Sequence, residues 1–287
     1  MGKVDSSTRC FGLIGYPLKH SFSPQIHEII FNHLSLNAVY LCFEVKSSFV
    51  GAALKGCSAL GIKGLNVTIP YKEKVIPYLH TLSKEASVIG AVNTIRIREN
   101  GRLEGFNTDG EGFLLSLRRH NINPRGKSVL IIGAGGAARA VSVYLARERV
   151  RRIAIYDIVS SRAQSLVKHL KKFYPHIDTG WVKDKRTFAI KDVDLLINAS
   201  GVGLKKGDPV VFPLKGAKKT LVVYDLIYNP LMPPLLKEAS SVGLKTINGL
   251  WMLIYQAIRA EEIWQARKIK GVADKIYRSI ARRLRNV

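Results

Sequence analysis

The residues with the clearest chemistry are Gly133-Ala134-Gly135-Gly136-Ala137-Ala138, which satisfy G-x-G-x-x-G/A. That spacing brings a polypeptide backbone against a pyrophosphate. Gly133 permits a tight turn, Gly135 removes the side chain that would stand between backbone and phosphate, and Ala138 lets a helix lie close on a strand. The helix opening here presents free N–H groups and a partial positive charge to the phosphates. Gly133, Ala134, Gly135, Gly136 and Ala137 are therefore candidate dinucleotide-binding residues. Asp157 ends the next apolar run, 21 positions after Gly136. A carboxylate there accepts hydrogen bonds from the adenosine ribose hydroxyls and repels a 2′-phosphate, so NAD is the preferred cofactor on charge, with NADP left open. An Asp at a strand end also caps the helix that follows, and one side chain can do both.

The surrounding pattern supplies the elements such a turn needs. Residues 127–132 form a β-branched run suited to a buried parallel strand, followed by a helix-like stretch at 137–147 and a strand at 152–157. A helix at 161–173 and strands at 194–197 and 221–225 continue the alternation. The first hundred residues alternate in the same way, with strands expected at 11–14, 39–43, 64–67 and 92–98 and helices between them. Asn100-Gly101 is a hairpin signal after the last of these. Ser23-Pro24 reads as a helix start, Ser as N-cap and Pro at the first helical position. Beyond Gly243 the chain reads as helical, at 250–268 and 271–284. The class is α/β.

The 287 residues allow one large domain or two modest ones. A hydrophobic fraction of 47%, a charged fraction of 23% and a mean hydropathy of +0.05 exclude wholesale disorder. The net charge is +24, of which +4 falls in residues 1–110 and +20 in residues 111–287. Such an excess suits nucleic acid, an anionic surface or small acidic molecules. It is spread rather than packed into one arm, as a solvated surface would be. A nucleic-acid-binding protein is the reading from a different class, and it calls for clustered basic and aromatic residues.

Cys10, Cys42 and Cys57 are an odd number without C-x-x-C spacing, so neither a disulfide framework nor a zinc site is expected. No metal motif emerges from the histidines. The first apolar run, 10–18, is too short to span a bilayer and is broken by Gly12, Gly15 and Pro17. A cytoplasmic protein with no membrane partner is expected.

Several separated motifs then point one way. They are Gly15-Tyr16-Pro17-Leu18-Lys19-His20-Ser21-Phe22-Ser23-Pro24, Asn66-Val67-Thr68-Ile69-Pro70-Tyr71-Lys72, Gly90-Ala91-Val92-Asn93-Thr94, Gly105-Phe106-Asn107-Thr108-Asp109-Gly110, the glycine turn, Tyr228-Asn229-Pro230-Leu231, and Gly249-Leu250-Trp251-Met252-Leu253-Ile254-Tyr255-Gln256. With these the chain resembles the shikimate dehydrogenase family, which includes the quinate/shikimate dehydrogenases, from Gly12 to about Gln265. The resemblance implies two domains. Residues 1–107 would bind substrate, 108–242 would form a Rossmann dinucleotide-binding domain, and 243–287 would be C-terminal helices returning to the first domain.

The resemblance also implies roles. Lys72 would be the acid/base group and Asp109 its partner, although each residue taken alone reads as a surface lysine and a helix cap. Ser21 and Ser23 would meet a small carboxylate, Thr68, Asn93 and Gln256 the ring hydroxyls, and Tyr228 the carboxylate end. Arg162, Asn198, Ser200, Leu226 and Gly249 would join the cofactor set. Family members that use NADP commonly carry Asn-Arg-Thr where this chain has Asp157-Ile158-Val159, a departure that again favours NAD. Met232 and Glu262 also depart from the pattern, without a functional reason. The implied activity is reversible reduction of 3-dehydroshikimate to shikimate in aromatic biosynthesis, by a monomer or homodimer acting on a small molecule and not on nucleic acid. An NAD-dependent quinate/shikimate dehydrogenase of catabolism is the alternative.

Overall fold

The structure is a computed structural model that describes residues 4–19 and 21–285; His20 of the first motif lies outside them. The chain divides into two compact units, one built from the chain up to Thr108 together with Ile254–Arg283, the other on Asp109–Leu253.

The first unit contains β1 (Arg9–Gly15), α1 (Ser23–His33), β2 (Ala38–Glu44), α2 (Val50–Ala59), β3 (Gly64–Val67), β4 (Thr81–Leu82), α3 (Lys84–Ile89), β5 (Thr94–Ile97) and β6 (Leu103–Phe106). Its sheet has the order β2-β1-β3-β5-β6-β4. β1 runs parallel to β2 and β3, whereas β5 is antiparallel to both β3 and β6. The expected hairpin is the β5–β6 pair. Its turn closes when the Gly101 amide donates to the Arg98 carbonyl at 2.9 Å, with Gly101 alone of the turn residues at positive φ (77°). The helix start at Ser23-Pro24 differs in detail from the expectation. Phe22, not Ser23, is the N-cap, and no side chain caps the helix. Pro24 still supplies the fixed φ suited to a first turn, while the Ser21 hydroxyl accepts from the Ser23 amide at 3.2 Å.

The second unit contains α4 (Asp109–Arg119), β7 (Ser128–Ile132), α5 (Gly136–Arg147), β8 (Arg152–Tyr156), α6 (Ser160–Phe173), β9 (Asp178–Trp181), β10 (Leu195–Asn198), β11 (Val222–Asp225), α7 (Pro234–Ser241) and β12 (Lys245–Ile247). All six strands are parallel, in the order β12-β11-β10-β7-β8-β9. The chain leaves β7 toward β8 and β9 on one side and returns to β10, β11 and β12 on the other. That reversal between β7 and β10 is the doubly wound Rossmann topology, which places ligands outside the carboxyl ends of the strands at the switch point. Every residue of β7, β10 and β11 is buried, as expected of strands covered on both faces. Leu130, Leu196, Val223, Phe212 and Leu235 form the centre of that core.

The chain ends in α8 (Leu250–Gln265) and α9 (Ala273–Arg285). Within the first unit, α8 brings Trp264 against Phe11 (ring centroids 5.0 Å apart), and the indole N–H donates to the Ile95 carbonyl at 2.9 Å. One turn earlier Glu261, with no exposed surface, meets Nδ1 of the equally buried His27 at 2.6 Å. The His27 ring stacks on Tyr40 at 4.0 Å, and Nε2 finds no partner among the described residues. A second oxygen of Glu261 accepts from Gln265, which in turn accepts from Arg9. Removing one member of a buried pair leaves the other uncompensated, which costs about 3–5 kcal/mol. Glu261→Ala is expected to lower unfolding stability in urea by about that amount, and Glu261→Gln, which keeps a hydrogen-bonding oxygen, by less. A loss below about 1 kcal/mol in Glu261→Ala would show that the pair does not hold α8 to α1.

Candidate active site

In the first unit, the expected substrate residues gather at one end of the sheet, where β1 and β3 finish and β5 begins. The Thr68 amide donates to the Ile14 carbonyl at 2.9 Å and the Tyr16 amide to the Ile69 carbonyl at 3.1 Å, tying the loop after β3 to the loop after β1. The Val67 amide donates to the Asn93 carbonyl at 2.8 Å, and the Val92 amide to the Lys72 carbonyl at 2.7 Å. Thr68, half-buried Lys72 and Asn93 are thus held by main-chain bonds on adjacent loops. Ser21 and Ser23 stand at the start of α1, on the chain that leaves β1 at the same end.

Asn93 is the hub of this group. Its Nδ2 donates to Thr108 Oγ1 at 2.9 Å and to Gln256 Oε1 at 3.3 Å, and its Oδ1 accepts from the Thr108 amide at 2.8 Å. Gln256, on α8, is thereby set beside a residue 163 positions earlier. Sequence reasoning passed over Asn66. Its Nδ2 donates to the Asn93 carbonyl at 3.1 Å and to Thr94 Oγ1 at 3.2 Å, while Oδ1 accepts from the Tyr40 hydroxyl at 2.8 Å. Burial pushes the Tyr40 phenol well above its ordinary range, so it stays a donor. The available signal was an amide side chain within a short strand whose four residues are all buried.

In the second unit, Gly133 follows β7 at φ 100°. A Cβ there would come within 2.9 Å of the Ala199 carbonyl oxygen, so only glycine allows the loops after β7 and β10 to lie this close. At Gly249 a side chain would collide with the Leu226 carbonyl, and the Gly249 amide donates to the Ile227 carbonyl at 3.0 Å. Gly135 differs from both. It is the N-cap of α5, in extended conformation, and a Cβ there would meet nothing within 4 Å. The backbone at the helix N-terminus therefore faces open space, the cradle an anionic phosphate needs. The residues present fit a dinucleotide. Asp109 is the buried first residue of α4, and Tyr228 lies half-buried in the loop after β11.

The Asp157 side chain points back into the protein. Its Oδ2 accepts from the Ala134 amide at 2.8 Å, and its Oδ1 accepts from the Val159 amide at 2.8 Å. Both oxygens thus brace the glycine turn and the start of α6, and two N–H dipoles offset the charge. Outward, Ile158 is 90% exposed, and Ser160, Ser161 and Arg162 lie exposed in the first turn of α6.

Asn198 and Asp225, the last residues of β10 and β11, have no exposed surface. Asn198 Nδ2 donates to Asp225 Oδ2 at 2.9 Å, and the Ser200 hydroxyl donates to Asn198 Oδ1 at 2.7 Å. Burial raises the Asp225 carboxyl from 3.8 to about 7, against the bonds from Asn198 and the Ile227 amide. Among the described residues no group of three His, Cys, Asp or Glu could hold a metal, and no helix is long and apolar enough to cross a membrane.

A doubly wound parallel sheet with an open glycine turn at its switch point defines a Rossmann-type dinucleotide-binding protein, here carrying a second α/β unit with a polar cluster at one sheet end. The comparisons narrow that class. Residues 13–95 match the shikimate dehydrogenase substrate binding domain. The chain is 43% identical over 265 residues to the shikimate dehydrogenase (NADP(+)) of Caldanaerobacter subterraneus subsp. tengcongensis, covering 91% of this chain and 93% of that protein. It is 43% identical over 266 residues to that of Methanopyrus kandleri, covering 91% of each. A solved shikimate dehydrogenase in complex with NADP+ superposes with a TM-score of 0.89 at 36% identity, over 98% of both chains. The chain belongs to the shikimate dehydrogenase family.

The relatives' cofactor overturns the expectation of NAD: these relatives are named for NADP(+), and the superposed structure holds NADP+. The expectation rested on the Asp157 carboxylate opposing a 2′-phosphate; in the structure that carboxylate accepts from the Ala134 and Val159 amides, so it also serves the glycine turn and the start of α6.

Two outcomes follow from the second unit. Gly135→Ala is expected to keep its thermal midpoint within about 2 °C, yet to weaken dinucleotide binding by roughly tenfold or more in calorimetry. Unchanged affinity would contradict a backbone approach at Gly135. For Asp225 the folded pKa lies above the unfolded one, so its contribution to stability is full below about pH 4 and is lost as pH rises through about 7. The stability of wild type minus that of Asp225→Asn is expected to fall between about pH 4 and 7 in urea titrations and to level off above that. A flat difference would mean that Asp225 is not titrating there.

Proposed function

We propose that this protein reversibly reduces 3-dehydroshikimate to shikimate with NADP(H), binding the substrate on its first unit and the dinucleotide on its second. The observation that carries the reading is the joining of Gln256 to Asn93 at the sheet end that also bears Thr68 and Lys72. These are the positions that the family resemblance assigns to a polyhydroxylated ring, in a chain 43% identical to named shikimate dehydrogenases.

Neutral amide and hydroxyl groups suit such a ring. They pair with its hydroxyls at little desolvation cost, and a polyol of the wrong configuration leaves them unpaired. Ser21, Ser23 and Tyr228 would hold the carboxylate, with Thr68, Asn93 and Gln256 on the hydroxyls. Thr108 and Thr94 would keep the Asn93 amide in one orientation, since the Thr108 main-chain amide and the Thr94 hydroxyl both donate to its Oδ1, while Asn66 holds the Asn93 main-chain carbonyl.

NADP(H), held by the second unit, would supply the hydride acceptor and donor for the carbon bearing the reacting hydroxyl. Lys72, as the neutral amine, takes the proton of that hydroxyl, and in the reduction direction returns it to the carbonyl oxygen as the ammonium. Asp109 acts as its partner at the substrate hydroxyl. On the second unit the pyrophosphate would lie over the Gly133–Ala137 turn. The 2′-phosphate would meet Arg162 and the N-terminus of α6, where Ser160 and Ser161 add hydroxyl donors.

The test is the absorbance change of NADPH formation with shikimate and, separately, with quinate, in wild type and in Lys72→Met. Wild type is expected to act on shikimate at a higher kcat/KM than on quinate. Lys72→Met is expected to lose about 10²- to 10⁴-fold in kcat. Absence of shikimate oxidation in wild type, or an undiminished rate in the variant, would overturn the reading.

A further inference from the structure

Three loops flank the crevice at the strand reversal of the second unit, those after β7, β10 and β11. Two of them are joined by side chains as well as by the main chain. Asn198 Nδ2 donates to Asp225 Oδ2 at 2.9 Å and to the Val202 carbonyl at 3.0 Å. Asn198 Oδ1 accepts from the Ser200 amide at 3.1 Å and from its hydroxyl at 2.7 Å. An amide side chain has two donor hydrogens and two acceptor positions, and all four are used. Asn198 therefore has no hydrogen-bonding capacity left for a ligand, although its loop stands among the expected cofactor segments.

Asp225 is the other half of the clamp. Its Oδ1 accepts from the Ile227 amide at 3.0 Å, which bends the chain after β11 back on its own strand end. The main chain repeats the link, since the Leu226 amide donates to the Asn198 carbonyl at 2.9 Å. These two loops carry the carbonyls that crowd the critical glycines, Ala199 against Gly133 and Leu226 against Gly249. The spacing of the glycine positions is thus fixed from behind by one buried carboxylate and one buried amide.

We propose that Asp225, acting through Asn198, is a positioning residue for the dinucleotide: the pair locks the loops after β10 and β11 at the separation that keeps the cofactor crevice open. This inference rests on the reading that the second unit binds NADP. It predicts a specific division of effects, because the clamp lies in the second unit, whereas Thr68, Asn93 and Gln256, expected on the ring hydroxyls, belong to the first; Tyr228, in the loop after β11, is the one expected substrate residue on a clamped loop.

Asp225→Asn is the direct variant. It keeps the shape, but its NH2 group must face a donor, either Asn198 Nδ2 or the Ile227 amide. The dissociation constant for NADP, measured by calorimetry on the full chain, is expected to rise about tenfold, the size of one lost hydrogen bond. The KM for shikimate is expected to stay within about twofold. The exchanged pair, Asp225→Asn with Asn198→Asp, restores a donor facing an acceptor between the strands and is expected to regain part of the lost affinity. A folded Asp225→Asn that binds NADP within about twofold of wild type, or one whose KM for shikimate rises as far as its dissociation constant for NADP, would overturn the proposal. Should the single variant fail to fold, an exchanged pair that folds but binds NADP no better than about a hundredfold below wild type would overturn it as well. A wild type that does not bind NADP fails earlier and sinks the cofactor reading itself.

Discussion

The loops that follow β7 and β10, and those that follow β11 and β12, run closer together than side chains permit, and the second unit depends on that proximity. Gly133 and Gly249 make it possible by having no Cβ to strike the Ala199 and Leu226 carbonyls. The approach is then made rigid by buried polar groups, because backbone loops at a sheet end have few apolar contacts to define their position. A carboxylate at the end of one strand and an amide at the end of the next supply directional bonds where packing alone would leave several arrangements of similar energy. The open face of Gly135 has a function only because the loops on either side cannot move into it.

The first unit solves a similar problem with different chemistry. Loops meet at one end of a mixed sheet, and the side-chain amide of Asn93 is held by Thr108 and Thr94, with Asn66 on its main-chain carbonyl, before it reaches Gln256. Behind that cluster, Tyr40 stacks on His27, and His27 is paired to Glu261 on the last long helix but one. The C-terminal segment is therefore joined to α1 by the buried His27–Glu261 hydrogen bond and to the first sheet by the indole hydrogen bond of Trp264, as well as by apolar contact. Two buried polar networks, one per unit, lie directly beneath the residues expected to touch substrate and cofactor.

Much of this arrangement was legible in the sequence, for identifiable reasons. The glycine turn could be read because each small residue answers a separate steric demand, and the alternating runs around it could be nothing but α/β. The helix start at Ser23-Pro24 was placed one residue late, since proline fixes the first turn whichever residue precedes it and the Ser23 side chain does not cap. Asp157 shows where reading stops. Its type and position were visible, but its direction was not, and the direction decides whether a carboxylate opposes a 2′-phosphate or braces a turn. Asn66 and Asp225 were missed for the opposite reason. Asp225 ends an apolar strand and Asn66, although it opens one of the motifs, sits within a buried strand, and each matters through partners 27 or 28 positions distant.

The net charge of +24 acquires a modest place in this account. Both ligands of the proposed reaction are anions, and most of the excess lies beyond residue 110, where the dinucleotide unit begins. In the proposed function, the choice of nicotinamide cofactor is assigned to local geometry rather than to total charge: Asp157 bonded to the glycine turn, exposed Arg162 and the first turn of α6. The most direct measurement is the ratio of kcat/KM for NADP to that for NAD at saturating shikimate. The account requires a ratio above one that falls when Arg162 is replaced by alanine. A ratio below one in the wild-type protein would contradict it.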